Sequence, residues 1–306
     1  MPELPEVETV VRDLRPQLSG RRIESLQVTR DQRVLERLIR HPTARQFVQR
    51  LRGRIITSVT RRGKYIVMPL HDADQGHAAD QGLAAAQGHD AASPNGAGAQ
   101  RLIVHLGMTG HLRLWEPEEA PVKHTHVRLL LDSGLELRYD DQRQFGRLLL
   151  GTQAEMIAAG AFPARLGPEP IHGDLTVAEF ERLIRARRRP VKSALLDQSF
   201  LAGVGNIYAD EACFRAGIRP SRWTHRLTVR ERRALYAAIQ DVLENSIAAR
   251  GSSIIDYVDG FGLRGTNQEK LLVYGRNGEP CLRCGTPLQG TRLAGRGTVY
   301  CRKCQR

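Results

Sequence analysis

Residues 281–304, CLRCGTPLQGTRLAGRGTVYCRKC, carry the strongest fold signal in the chain. Two Cys-x-x-Cys pairs, Cys281/Cys284 and Cys301/Cys304, are separated by sixteen residues. This spacing is typical of a four-thiolate zinc site, in which each pair supplies two sulfurs and the segment between them forms a β-hairpin. Two redox-active thiol pairs, or unpaired thiols, are the alternative interpretations. Because four protein ligands complete a tetrahedron, we predict one structural Zn2+ and no catalytic metal position.

Positive charge is concentrated around these cysteines and is high in the whole chain. Arg292, Arg296, Arg302 and Lys303 lie between or beside the two pairs. The 46 basic residues exceed the 33 acidic ones and give a net charge of +13. A rigid basic hairpin is well suited to holding phosphates, and a strongly basic chain suggests a polyanionic partner. We therefore predict a nucleic acid as the partner.

The segments upstream of the zinc module have helical patterns. Two pairs, Thr176/Glu179 and Thr228/Glu231, have the spacing of a capping box at the start of a helix. The second of these helices carries leucine, isoleucine and valine along one face. Residues 193–217 add further helical segments around a glycine-rich turn. The sequence therefore predicts a helical domain before the zinc module.

The N-terminal half has the pattern of one helix followed by many strands. Residues 5–19 place valine and leucine at helical spacing, with Pro16 expected to kink or shorten the helix and Gly20 to end it. The β-like runs are 22–30, 54–60, 64–70, 101–106, 111–115, 126–131 and 135–139. The segment 132–134 predicts a hairpin turn. Because helices separate few of these runs, the sheet should be largely antiparallel and sandwich-like.

These patterns predict an α+β multidomain protein. An N-terminal antiparallel β-sandwich domain with flanking helices covers 1–151, a hinge covers 152–173, a helical domain covers 174–266, and the zinc module covers 267–306. Residues 71–100, rich in Ala, Gly, Gln and Asp, predict a flexible insertion between two strands. The start lacks an apolar signal region and no run approaches 18 apolar residues, so we expect a cytoplasmic protein without a membrane segment.

Seven motifs follow one another along the chain. They are MPELPEVE (1–8), HLGMTG (105–110), KHTHV (123–127), DQRQFG (141–146), GVGNIYADE (203–211), VYGRNGEPCLRCG (273–285) and RGTVYCRKC (296–304). In this order the chain resembles bacterial formamidopyrimidine-DNA glycosylases, within the formamidopyrimidine-DNA glycosylase and endonuclease VIII family. The resemblance leaves out only 71–100. It implies a β-sandwich, a helix–two-turn–helix domain and a β-hairpin zinc finger, with DNA in the cleft between the domains.

The resemblance also implies an activity. A member of this family is a bifunctional DNA glycosylase and AP lyase of base excision repair, acting on oxidised purines such as 8-oxoguanine and formamidopyrimidines in double-stranded DNA. We expect a monomer that is associated with the nucleoid when bound to DNA. Two other interpretations stay open: an endonuclease VIII-like glycosylase for oxidised pyrimidines, and a DNA-binding zinc protein without catalysis. The endonuclease VIII branch usually begins MPEGPE, unlike this chain.

Pro2 is the predicted nucleophile. Removal of Met1 exposes a secondary amine, and an α-amino group with a pKa of about 8 is partly neutral at physiological pH. Attack on the sugar C1′ gives an iminium that has no N–H proton to lose, so the adduct acts as an electron sink. That favours loss of the 3′ phosphate and then of the 5′ phosphate. The resemblance implies the same role.

Four further residues are predicted to take part in the chemistry. Glu3 can protonate the ring oxygen or the leaving base, and the resemblance places the general acid there. Glu6 is expected to orient the amine or support water, with a surface capping role as the alternative. Lys64 is an amine in an Arg-rich chain and, unlike arginine, can exchange protons; the resemblance implies that it assists β-elimination. It also implies that Arg296 holds phosphate and assists δ-elimination.

The resemblance supplies a set of DNA-contact residues. Met108, Arg143 and Phe145 match the trio that fills the space left by a flipped nucleotide. An unbranched thioether, a guanidinium and an aromatic ring suit that task. Core packing is the alternative for Met108 and Phe145. The other predicted contacts are His124, Arg188, Lys192 and Asn206, with Arg187 and Arg189 as neighbours that leave the arginine assignment open.

Two segments match the family less closely. Residues 259–266, DGFGLRGT, match loosely with a mobile lid over the flipped base. Gln142 and Gln144 stand where the family usually has the proline and second arginine of Asp-Pro-Arg-Arg-Phe-Gly. Because Arg143 and Phe145 are kept, we expect activity to be retained with a changed loop stiffness or DNA affinity.

Overall fold

The computed structural model describes residues 1–72 and 98–306. The flexible insertion predicted at 71–100 therefore lies almost wholly outside the described residues. The described chain forms two compact units. The first unit is Met1–Pro2, Glu6–Ala164 and Ser253–Gly265, and the second unit is Glu3–Pro5, Arg165–Ser252 and Thr266–Arg306. The predicted hinge contains the boundary at Ala164, and most of the predicted lid belongs to the first unit; the predicted domain limits stay predictions.

The first unit contains two sheets that share one apolar core. The four-stranded sheet has the order β1 (Ile23–Val28), β8 (Thr125–Leu131), β9 (Glu136–Asp141) and β7 (Gly110–Trp115). The six-stranded sheet has the order β2 (Ile39–His41), β10 (Arg147–Gly151), β6 (Arg101–His105), β5 (Tyr65–His71) and β3 (Ile55–Ile56), with β4 (Thr60–Arg62) also on β5. All of these pairings are antiparallel except that of β2 with β10. The predicted antiparallel β class is confirmed.

Helix α1 (Leu4–Leu18) packs Val7, Val10, Val11, Leu14 and Leu18 into this core, as the helical spacing predicted. Pro16 lies in the last turn, where its missing N–H removes only one late hydrogen bond, and the helix continues two residues beyond it. Gly20 adopts a φ of +80° just after the helix end. The predicted hairpin at 132–134 is also present, because the Leu131 N–H donates to the Leu135 carbonyl.

Several short elements of the first unit gave no clear sequence pattern. They are α2 (Gln32–Leu38), α3 (Ala44–Leu51), α4 (Gln153–Ala158) and strands β2 and β10. Helices of two turns are too short for a periodic signal, and their stability comes from tertiary packing. Phe47 and Leu51 of α3, for example, are buried in the core. Strand β10 is a continuous Leu-Leu-Leu run, which periodicity alone cannot assign.

The second unit is helical and ends in a hairpin. Its elements are α5 (Val177–Arg185), α6 (Val191–Leu195), α7 (Asn206–Arg215), α8 (Val229–Ala248), β11 (Gln289–Leu293) and β12 (Arg296–Tyr300). Thr228 and Glu231 form the predicted capping box, whereas at α5 the structure gives only the bond from the Glu179 N–H to Thr176. The predicted apolar face of α8 is buried against the other helices. Within 1–72 and 98–306, no helix is long and apolar enough to cross a bilayer.

A buried ion pair joins α1 to β4 in the first unit. The Arg61 Nε and Glu8 Oε2 atoms are 2.8 Å apart, and the Arg12 Nε lies 2.8 Å from Glu8 Oε1. Burial alone would raise the pKa of Glu8. The two guanidinium groups outweigh burial and lower this pKa from 4.5 to about 2.

We expect Glu8→Gln to lower the free energy of unfolding by up to about 3 kcal/mol near neutral pH. Because the folded pKa lies below the ordinary value of 4.5, this stabilisation is fully present above about pH 4.5 and is lost as the pH falls toward 2. Denaturant unfolding at a series of pH values should show wild type and variant converging at the acid end. Glu24→Gln, at an exposed position, is the control. A difference that stays constant with pH would contradict the assignment.

Candidate active site and zinc centre

The predicted catalytic residues are divided between the two units. Pro2, Glu6 and Lys64 belong to the first unit, whereas Glu3 and Arg296 belong to the second. The chain thus changes unit directly after Pro2 and again after Pro5. The roles of these five residues stay predictions, and the local geometry of each is described within its own unit.

Glu3 is fixed by the turn that precedes α7. The Ile207 N–H donates to Glu3 Oε1 over 3.0 Å, and the Leu4 N–H donates to the Gly203 carbonyl over 3.1 Å. Ile207 lies in the first turn of α7, where free N–H groups and the helix dipole favour a carboxylate. Glu3 is 3% exposed. The carboxylate of the predicted general acid is therefore held by the Ile207 N–H, and the Leu4 N–H holds the main chain beside it.

Two glycines of the GVGN motif make room for this arrangement. A Cβ built on Gly205 would lie 2.2 Å from Cδ of Glu3, and one built on Gly203 would lie 2.6 Å from Leu4 Cδ1. Gly203 also has a φ of +94°, in the left-handed region that favours glycine. The motif had suggested phosphate binding through Asn206. Its glycines are required by the close approach of Glu3 and Leu4, which sequence spacing could not reveal, and the DNA contact of Asn206 stays a prediction.

Lys64 occupies a tight turn in the first unit. Arg62 and Tyr65 pair across the β4–β5 hairpin, so Gly63 and Lys64 form its two-residue turn, with Gly63 at a φ of +59°. Lys64 is buried. Burial first, and the charges of Lys64 and Arg147 next, lower the pKa of nearby His105 to about 4. His105 is therefore neutral at pH 7, and its Nδ1 accepts from the Gly107 N–H over 3.1 Å.

Glu6 is buried in the first unit. It is 1% exposed, which does not fit the surface capping role left open by the sequence. Its backbone carbonyl accepts from the Tyr257 hydroxyl over 3.2 Å. This bond ties α1 to the segment 253–265 within the first unit. Pro2 is buried as well.

The three predicted void-filling residues lie on two neighbouring connections of the first unit. Met108 is half-buried in the β6–β7 turn, and Arg143 and Phe145 lie in the β9–β10 connection. Phe145 is 54% exposed, so it does not pack in the core, which was the alternative interpretation for this residue. The Arg143 guanidinium carbon lies 4.9 Å from the centre of that ring. His124, half-buried, directly precedes β8.

Gln144, which departs from the family pattern, has a local partner. It adopts a φ of +57°, a strained region for a side chain of this kind. Its Oε1 accepts from Arg37 Nη1 of α2 over 3.1 Å. An arginine from another element therefore lies beside the position at which the family usually has one.

Arg188 is the best candidate among the three consecutive arginines. Arg187 and Arg189 both contact Asp197, at 3.5 and 3.1 Å. Arg188 is exposed, and within the described part of the chain it forms no ion pair. A charge held by an aspartate is less available to phosphate than a solvated one, so the geometry favours Arg188 for the predicted DNA contact.

The predicted DNA contact of Lys192 needs correction. Lys192 is 0% exposed, and its Nζ lies 2.7 Å from Asp210 Oδ1, 2.7 Å from the Gly297 carbonyl and 2.8 Å from Thr298 Oγ1. A fully buried ammonium with these three partners does not reach a phosphate in this conformation. The motif gave its position but not its burial. Lys192 instead joins α6 and α7 to strand β12.

The same contacts hold the turn that presents Arg296. The Asn206 side-chain amide donates to the Gly297 carbonyl over 3.1 Å, and Asp210 Oδ2 accepts from the Val299 N–H over 3.1 Å. Ala294 and Gly295, with φ of 50° and 72°, form the tight hairpin turn just before Arg296. Arg296 is exposed. The hairpin is thus held by contacts from α6 and α7, and it exposes the Arg296 side chain to solvent.

The four cysteines form the predicted structural zinc site. Their Sγ atoms all lie within 4.8 Å of one another, with Cys281 and Cys304 3.9 Å apart and Cys284 and Cys301 3.5 Å apart. A tetrahedron with zinc–sulfur bonds of about 2.3 Å requires sulfur separations of about 3.8 Å, so the cluster fits the ion. The Cys304 N–H points at the Cys301 sulfur over 3.4 Å. When bound, zinc supplies structure to this module, whose own apolar cluster is small.

Removal of zinc should release the hairpin and weaken DNA binding by at least about 10-fold. The module is too small to form an apolar core that could hold it without the ion. Loss of zinc should therefore disorder the β11–β12 hairpin that carries Arg296. Binding should be measured with a lesion-containing duplex, using protein whose zinc content is verified before and after chelation. Adding zinc back is the control. Full binding by verified zinc-free protein would contradict the role of the hairpin.

Three family models match the chain. The formamidopyrimidine-DNA glycosylase N-terminal domain matches residues 1–148, the formamidopyrimidine-DNA glycosylase H2TH domain matches 166–257, and the zinc finger found in FPG and IleRS matches 278–306. These matches follow the order of the motifs and cover most of the chain.

Similar proteins and solved structures belong to the same family as the matching models. The formamidopyrimidine-DNA glycosylase of Desulfitobacterium hafniense is 42% identical to this chain, and the match covers 100% of both. A Lactococcus lactis FPG mutant, solved with a Fapy-dG containing DNA, is 32% identical with a TM-score of 0.81 and covers 100% of both chains. The wild-type Lactococcus lactis FPG, solved with an oxidised pyrimidine containing DNA, is 32% identical with a TM-score of 0.80 and the same coverage.

Proposed function

Because the chain belongs to the formamidopyrimidine-DNA glycosylase family, whose members act in the repair of oxidised bases, we propose that it is a bifunctional glycosylase and AP lyase for oxidised purines in double-stranded DNA. The observation that carries the proposal is the placement of Glu3. The Ile207 N–H holds its carboxylate, and Glu3 directly follows Pro2 in the sequence. A general acid beside a nucleophile is what base removal through a covalent intermediate requires.

The reaction proceeds in two stages. In the first, the Pro2 nitrogen uses its lone pair to form a bond to C1′ while the bond from C1′ to the base breaks. Glu3 gives its proton to one of the two leaving groups, the base or the ring oxygen, and the other takes the N–H proton that the Pro2 nitrogen loses as the iminium forms. Opening of the sugar leaves an iminium between Pro2 and C1′. In the second, loss of a C2′ proton moves electrons toward the iminium and expels the 3′ phosphate; a second elimination expels the 5′ phosphate.

Other residues support these steps by charge and position. Lys64 assists the first elimination, and Arg296 holds the phosphate that leaves in the second, more as an electrostatic clamp than as an acid because of the high pKa of a guanidinium. Met108, Arg143 and Phe145 fill the stack from which the damaged nucleotide is flipped. His124, Arg188 and Asn206 contact the backbone of the duplex.

A second substrate class is a real candidate. The wild-type Lactococcus lactis relative was solved with DNA containing an oxidised pyrimidine, so the fold is compatible with such a lesion. This chain has a Met/Arg/Phe trio, and we propose that the arginine pairs with an orphaned cytosine, which favours a purine lesion. Oxidised pyrimidines are then secondary substrates.

Duplexes that carry 8-oxoguanine opposite cytosine, thymine glycol or no lesion test this proposal. We expect excision and strand cleavage with 8-oxoguanine to be faster than with thymine glycol, and products that retain phosphate at both ends of the gap. Faster cleavage of thymine glycol would assign the chain to pyrimidine lesions. Binding without any cleavage by protein with an exposed Pro2 would leave only a DNA-binding role.

A further inference from the structure

We propose that Asp141 and Thr109 are positioning residues that hold Met108, Arg143 and Phe145 as one preformed unit before DNA is bound. The inference rests on the proposed function, because it assigns the trio to the flipped-out site. Asp141 and Thr109 are buried next to the trio and take no part in the proposed reaction. All five residues belong to the first unit.

Asp141 accepts hydrogen bonds from both connections that carry the trio. It is 0% exposed and ends strand β9. Its Oδ1 accepts from the Thr109 hydroxyl over 2.6 Å, and its Oδ2 accepts from the Gly146 N–H over 2.8 Å. The Tyr139 hydroxyl also donates to Oδ2, over 3.2 Å. A buried carboxylate that gathers three donors is costly to leave unmatched, so each donor is held in place.

Thr109 extends this network to the arginine. Its hydroxyl donates to Asp141 and at the same time accepts from the Arg143 N–H over 3.0 Å. The segment 143–146 is therefore tied at both ends: at residue 143 through Thr109 and at Gly146 directly by Asp141. Met108 precedes Thr109 and Phe145 precedes Gly146. Arg143 is thus anchored through its own N–H, and Met108 and Phe145 each adjoin a residue of the network, Thr109 and Gly146.

Close backbone packing makes the two connections a single body. A Cβ built on Gly107 would lie 2.5 Å from both the Gly146 nitrogen and the Phe145 carbonyl carbon. One built on Gly146 would lie 1.6 Å from the Tyr139 hydroxyl. Burial first, and the neighbouring Asp141 next, raise the pKa of Tyr139, which keeps its hydroxyl protonated as a donor. The two connections are therefore in close backbone contact at Gly107.

This arrangement suits a wedge that must enter a base stack. The exposed side chains of Arg143 and Phe145 are carried by backbone that the Asp141 and Thr109 hydrogen bonds hold in place. Little backbone ordering is therefore needed when these side chains insert into the base stack. Pre-organisation of this kind lowers the entropic cost of binding. A network that served only the stability of the sheet would have no reason to end on Arg143 itself and on the residues that adjoin Met108 and Phe145.

A matched pair of variants separates positioning from stability. Thr109→Val removes the hydroxyl that links Asp141 to Arg143. Thr125→Val removes a similar hydroxyl, because Thr125 donates to Asp140 over 2.5 Å elsewhere in the same sheet. Thr109→Ser keeps the hydroxyl and should rescue. Each variant is tested on an 8-oxoguanine duplex and on a single-stranded abasic oligonucleotide, which leaves no void to fill.

Thr109→Val should slow single-turnover excision from the duplex by roughly 10-fold, the effect of one lost hydrogen bond of this kind, and leave single-stranded abasic cleavage unchanged. A 2-aminopurine placed beside the lesion should report weaker insertion of the wedge. Thr109→Ser and Thr125→Val should behave like wild type. Equal losses on both substrates, or the same duplex rate for Thr109→Val and Thr125→Val, would overturn the inference. Wild-type protein that cleaves neither substrate would instead overturn the proposed function.

Discussion

Protein that retains Met1 should form no covalent adduct when it is incubated with an 8-oxoguanine:cytosine duplex and borohydride. In that form the Pro2 nitrogen is part of a peptide bond, and its lone pair is delocalised into the carbonyl. It then has neither the nucleophilicity to attack C1′ nor a route to an iminium. We expect adduct formation to fall by several orders of magnitude, as when a covalent nucleophile is removed from other enzymes.

The measurement depends on knowing the N-terminus of each sample. Mass spectrometry should verify processed and Met1-retaining protein before both are compared by gel shift of the trapped complex. Pro2→Gly is expected to be strongly impaired, since the imine of a primary amine can lose its N–H proton and the electron sink with it. Glu3→Gln is the matched control: it keeps the Pro2 amine and should still trap a duplex with a preformed abasic site. Full trapping by protein that retains Met1 would show that another amine, and not that of Pro2, is the nucleophile.

Covalent and local features of this chain were predictable from sequence. The two Cys-x-x-Cys pairs place four sulfurs because the spacing within each pair is fixed by a short loop, whatever the rest of the fold does. Helix α8 has twenty residues, long enough for its apolar face to stand out. The N-terminal cap of α5 was also predictable, because a capping interaction involves only residues within one turn of each other.

Features that depend on distant packing were not predictable. Lys192 lies in a basic stretch and resembles a phosphate contact, but Asp210 and the β12 carbonyl of Gly297 come from 18 and 105 residues further along the chain and bury it. The need for glycine at Gly205 was not visible in the sequence, because no local pattern records that Glu3 fills the space beside it. Asp141 is one letter within a family motif, and its role as an acceptor for three donors becomes visible only when two connections are brought together.

Gly205→Ala should reduce excision of 8-oxoguanine by about 100-fold while affecting cleavage of a preformed abasic site much less. The added methyl would lie 2.2 Å from Cδ of Glu3 and 2.5 Å from Oε1, which no rotation of the new side chain relieves because the Cβ itself causes the clash. Glu3 must therefore move away from the Ile207 N–H. A general acid displaced by about 1 Å loses a large part of its effect on the step that it assists.

The two substrates make the outcome specific to Glu3. Excision of a base requires a proton for the leaving group, whereas an abasic site has already lost its base and needs mainly the Pro2 amine. Gly98→Ala, at a glycine with open space and an ordinary φ, controls for the general cost of replacing glycine, and thermal unfolding checks that each variant is folded. If Gly205→Ala lowers both activities equally, the clash disturbs Pro2 as much as Glu3, and the separate role of the acid is wrong. If neither activity changes, the contact between Glu3 and the turn before α7 has no part in catalysis.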